Sequence, residues 1–90
     1  FYILILRYMV RVRFFASIKE KVGKSEIEAY ISGSETVGVL MGRIADEYEV
    51  KREVLINDTL LYAVNHNHVK SDYLLKDGDE VAVLPPLSGG

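Results

Sequence analysis

Residues 10–15 read Val10-Arg11-Val12-Arg13-Phe14-Phe15, apolar and basic in alternation. Successive side chains of an extended chain point to opposite faces, so this stretch is a strand burying Val10, Val12 and Phe14. Arg11, Arg13 and Phe15 then share the other face. Further along, Val37, Leu40, Met41, Ile44 and Tyr48 recur at i, i+3, i+4, i+7 and i+11, a single apolar stripe on a helix. Ser34 or Thr36 is placed to cap that helix, and Glu35 lies near its positive end. Gly38 and Gly42 are four apart on one side of it. Each costs about 1 kcal/mol relative to Ala in a helix interior, which predicts close approach of another backbone.

The remaining segments supply the rest of a sheet. Ser17 to Val22 reads as a short helical turn stopped by Gly23, and Ser25 to Ile31 as a strand followed by the loop Ser32-Gly33-Ser34. A polar connection from Glu49 to Glu53 leads to a strand over Leu60 to Asn65. His66-Asn67 reads as a turn and His68-Val69 as a short pairing segment. Asp77-Gly78-Asp79 marks a further turn before a closing strand, Glu80 to Leu84. In that strand Val81 and Val83 share one face, and Glu80, Ala82 and Leu84 the other. Strands with one main helix packed across them form an α+β domain with a mixed sheet, and the order matches a β-grasp (ubiquitin-like) fold.

Composition narrows the function. Ninety residues and 10.2 kDa make one domain, 49% hydrophobic and 27% charged. With no Cys, thiol nucleophiles, disulfides and cysteine zinc sites are excluded. Eleven basic and 13 acidic residues give a net charge of −2, which argues against a nucleic-acid binder. Residues 7–24 hold six bases and one acid, and residues 26–58 eight acids and three bases. Phe1 to Leu6 are apolar but far short of the roughly 20 residues of a membrane helix, and no basic region precedes them. The expectation is a soluble cytoplasmic protein without membrane contact. Met9 is the first residue able to initiate translation, so residues 1–8 read as an extension ahead of a domain over 9–84, or as a lengthening of the first strand.

Side chains offer little catalysis. His66 and His68 are two apart, on one side if extended, but no third ligand stands near, so no metal is expected. The serines lack triad context, phosphate-binding glycine patterns are absent, and Asp77, Asp79 and Glu80 read as solvated turn carboxylates. The chain is not expected to be an enzyme on its own.

Attention moves to the segment 85–90, Pro85-Pro86-Leu87-Ser88-Gly89-Gly90. Two prolines restrict φ where the chain leaves the sheet, so the tail should project stiffly. Six extended residues reach about 20 Å, and two glycines let a narrow channel close around the tip. Val10 to Ala16, Thr36-Val37, Ala63-Val64-Asn65, Lys76-Asp77-Gly78-Asp79-Glu80-Val81-Ala82 and Pro85 to Gly90 together resemble the ubiquitin-like sulfur carriers, most of all the MoaD-like family of molybdopterin synthase small subunits.

That resemblance implies adenylation of the Gly90 carboxylate by an ATP-using activating enzyme and its conversion to a thiocarboxylate by a sulfur-transfer protein. Sulfur then passes, within a complex with the large synthase subunit, to cyclic pyranopterin monophosphate in molybdenum or tungsten cofactor synthesis. No cofactor would be bound by this chain. Gly89 and Gly90 are then the reacting tip. Phe15, Leu84, His68, Arg11, Arg13, Pro85, Pro86, Leu87 and Ser88 would meet partners, Phe15 and Leu84 as one apolar patch at the root of the tail. His68 stands where the family often has an apolar residue. Two alternatives are a ubiquitin-like modifier joined to Lys through Gly90 and a carrier of the thiamine pathway.

Overall fold

The computed structural model describes residues 8–86. The first strand, β1 (Tyr8–Phe14), buries Val10, Val12 and Phe14 as its alternation requires. Tyr8 stands opposite Ile31. Ala16 takes a left-handed φ of 52°, which turns the chain out of the strand and into α1 (Ala16–Val22). Gly23, at φ 86°, ends α1. Then come β2 (Glu26–Ile31), the main helix α2 (Val37–Glu47), a one-turn α3 (Arg52–Leu55), β3 (Leu61–Val64), β4 (Asn67–Val69) and β5 (Glu80–Leu84). The turn α3 falls partly within the polar connection expected over Glu49 to Glu53. It forms because Leu55 has an apolar site to enter, a gain absent from local pattern.

The strands make one mixed sheet in the order β2-β1-β5-β3-β4. Among the described residues only β1 and β5 run parallel, with Val12 beside Val81 and Phe14 beside Val83. Val37, Leu40, Met41, Ile44 and Ala45 of α2 join Val12, Phe14, Val81 and Val83 in one core. Thr36 caps the helix, its Oγ1 accepting from the Val39 amide at 3.2 Å. Glu35, expected to act on the helix end, is instead buried. Its carboxylate accepts from the Ser32 amide (3.1 Å) and from Arg43 Nε (2.7 Å), tying the β2–α2 loop to the helix. Of the two helix glycines, Gly38 meets backbone as expected, donating to the Ser71 carbonyl at 2.8 Å. Gly42 does not: the Arg52 guanidinium, not a main chain, lies over it.

The β3–β4 turn lies one residue earlier than expected. Asn65 and His66, at φ 51° and 70°, occupy its two central positions, so β4 begins at Asn67. Two consecutive left-handed residues are the requirement of a type I′ hairpin, which favours Asn first and Gly second. His66 is exposed there. His66→Gly is therefore expected to stabilise the domain by about 1 kcal/mol, read as a higher denaturant midpoint with an unchanged slope.

The turn is clamped from below by Asp79, which is buried, contrary to the solvated role expected of it. One carboxylate oxygen accepts from Asn65 Nδ2 (2.9 Å) and the other from the Lys76 amide (2.8 Å). Asn65 Oδ1 in turn accepts from the Glu80 amide at 3.0 Å. Asp77 takes a neighbouring role, accepting from the Met9 amide at 2.8 Å where β1 begins. Local sequence shows these residues only as turn formers; the Lys76 amide is three positions from Asp79, but Asn65 is 14 away and Met9 is 68 from Asp77.

Candidate docking face and tail root

One face of the sheet carries α2 and the core; the opposite, outer face carries the residues singled out from sequence. Strand registers align them in rungs. Arg13 pairs with Ala82, Ala82 with Ala63, and Ala63 with His68. At about 4.8 Å per strand this rung spans roughly 14 Å. On the next rung Leu84 stands opposite Leu61. Phe15 continues the register beside Leu84, its amide donating to the Val83 carbonyl at 3.2 Å. Phe15 and Leu84 thus come together at the end of the sheet where Pro85 and Pro86 leave it.

The patch is less open than sequence implied. Phe15, Leu84, Leu61, Ala63, Ala82 and Pro85 are all half-buried, whereas His68 and Pro86 are exposed. Arg13 accounts for part of this, its guanidinium carbon lying 5.3 Å from the Phe15 ring centroid. Arg13 also pairs with Glu80 at 3.3 Å and Glu26 at 3.7 Å, and Arg11 with Glu26 at 3.5 Å. These cations sit on the outer face as expected, but already carry intrachain partners. Leu87, Ser88, Gly89 and Gly90, with the projection expected of them, lie outside the described residues.

Chemical groups elsewhere are sparse. His66 turns in the hairpin and does not share a strand face with His68. Among the described residues no group of three or more His, Asp or Glu side chains is arranged to hold a metal. No helix there is long and apolar enough to cross a membrane. Tyr62 faces the core and donates its hydroxyl to the Leu55 carbonyl. Burial raises its phenol above the ordinary value of 10, with the Asp58 charge adding to the shift and a bond to Asn57 opposing it. That bonding makes Tyr62 a structural tie between α3 and β3.

A parallel central pair in a mixed five-stranded sheet, with a helix across one face, defines a ubiquitin-like β-grasp domain. Residues 12–90 match the ThiS family, and the chain belongs to that family. A curated relative from Escherichia coli (strain K12), named molybdopterin synthase sulfur carrier subunit, is 39% identical over 82 residues, covering 91% of this chain and all of the relative. Among solved structures, a putative molybdopterin converting factor, subunit 1, from Pyrococcus furiosus is 30% identical with a TM-score of 0.74, covering 89% of this chain and 99% of that one. Small archaeal modifier protein 1 from Methanosarcina acetivorans is 26% identical with a TM-score of 0.77, covering 94% and 99%.

Proposed function

We propose that this chain is the sulfur carrier subunit of a molybdopterin synthase, with Gly90 as the point of attachment. The observation that carries the reading is the family match, which runs through Gly90, together with full coverage of a curated carrier of that name. The rungs at the tail root support it, since they set a half-buried apolar strip beside the strand that leads to the tip. An activating enzyme would join the Gly90 carboxylate to AMP, releasing pyrophosphate from ATP. A sulfur nucleophile then displaces AMP and leaves a thiocarboxylate.

Adenylation is needed because a carboxylate resists attack, and the product sulfur is a far better nucleophile near neutral pH. The large synthase subunit would receive the outer face and the tail, supply the acid–base groups, and bind cyclic pyranopterin monophosphate. This chain is then a donor and not a catalyst by itself, it binds no cofactor of its own, and its setting is the cytoplasm. The likeness to a small archaeal modifier protein favours a second reading, in which Gly90 is joined to Lys side chains of other proteins.

Intact-mass measurement after incubation with ATP, the host's activating enzyme and a sulfur source separates the two. The carrier reading expects one oxygen exchanged for sulfur at the C-terminus. Gly-Gly remnants on Lys of other proteins, without that exchange, decide for the modifier.

A further inference from the structure

The two flanks of the outer face differ in how their charges are met. On the β1 side, Arg11 and Arg13 are paired with Glu26 and Glu80. On the β4 side, His68 and Lys70 are exposed, and among the described residues no carboxylate lies within ion-pair distance of either. Continuing the β3–β4 register sets Lys70 beside Leu61, one rung on from His68. Together they line an open cleft of about 380 Å³ whose apolar side is Leu60, Leu61 and Val69. Asp58 lines the same cleft but is within ion-pair distance of neither Lys70 nor His68. Leu61, which lines the cleft, is also the strand partner of Leu84 at the tail root.

We propose that this cleft receives an acidic side chain of the protein partner that docks on the outer face, with the carboxylate between Lys70 and His68 and an apolar neighbour against Leu61. The inference rests on the carrier reading and specifies the chemistry of its docking partner. Docking strips water from Lys70 and His68, and a desolvated ammonium left without an acceptor is strongly disfavoured. A neutral acceptor on the partner recovers part of that loss; a carboxylate recovers more and also selects the partner. The β1 flank offers no equivalent selection, because an incoming acid there must compete with Glu26 and Glu80.

The test is calorimetric titration of the full chain with the large synthase subunit of the same host, at low and at high salt. Lys70→Glu is expected to weaken binding about 10-fold or more at low salt, with a smaller loss as salt rises. Lys51→Glu, on the N-cap of α3 and away from the outer face, is expected to bind as the parent does. Carbodiimide treatment of the parent complex should couple Lys70 Nζ to an Asp or Glu of the partner. Lys70 is exposed, so each variant's unfolding midpoint should match the parent's and affinity alone should move. Equal affinities for Lys70→Glu and parent overturn the inference while leaving the carrier reading intact. Failure of the parent itself to bind overturns the carrier reading, and this inference with it.

Discussion

A chain ending at Gly89 is expected to acquire no sulfur and to restore no pterin dithiolene in cells lacking the intact carrier, while unfolding at the same temperature as the parent. Both halves follow from where the fold stops. The last strand, β5, ends at Leu84, so no ladder hydrogen bond or core contact described for the domain depends on residue 90. On the proposed carrier reading the chemistry depends on it wholly. One residue of extended chain is worth about 3.5 Å of reach, and misplacement of even 1 Å at a reacting centre costs on the order of 100-fold. One alanine appended after Gly90 should fail equally, since it adds a Cβ at the thinnest part and carries the carboxylate past the reacting position. Intact-mass analysis after the activation reaction, with a thermal melt on the same sample, checks both statements. A sulfur-loaded chain ending at Gly89 contradicts the assignment of Gly90.

The second large effect separates two neighbouring phenylalanines. Phe14 is fully enclosed by the core, whereas Phe15 lies half-buried on the outer face under Arg13. Phe14→Ala leaves a cavity between β1 and the helical layer and is expected to cost about 3–5 kcal/mol. A domain of this size is stable by roughly 5–13 kcal/mol, so the variant should be close to unfolding at 37 °C. Phe15→Ala loses only partial burial and one cation–π contact, about 1 kcal/mol, and should instead weaken docking to the large subunit. Chemical denaturation of the two variants side by side gives the first comparison, and titration with the large subunit the second. Comparable stability losses would mean that the two residues do not face opposite sides of the sheet.

Much of this arrangement is legible in the chain, for a physical reason that differs by element. The period-two alternation over residues 10–15 and 80–84 fixes which side chains are buried, because a strand with one covered face tolerates no slip of register. The stripe from Val37 to Tyr48 fixes the helix and its inward side in the same way. Both patterns are local, and both reappear in the core. The hairpin boundary shifted by one residue because its type is set by paired positive φ angles at Asn65 and His66, which the alternation of the strand does not show. The turn α3 was hidden because one turn of helix has no period to read; Leu55 entering the core decides it.

At the candidate site, the order of residues gives the alternation that sends Phe15, Arg13 and Leu84 outward and the prolines that follow it. These follow from backbone chemistry and side-chain direction, which each residue brings with it. Pairing across the sheet is different, because it depends on residues far apart in the chain that meet only after the strands align. Asp79 became a buried clamp because Asn65 and Lys76 converge on it, and Arg13 became a neutralised cation because Glu26 and Glu80 flank it. His68 and Lys70 were left without an intrachain acid by the same alignment. Sequence alone determined which faces exist; the folded sheet decided which charges on those faces are already satisfied and which remain to be met.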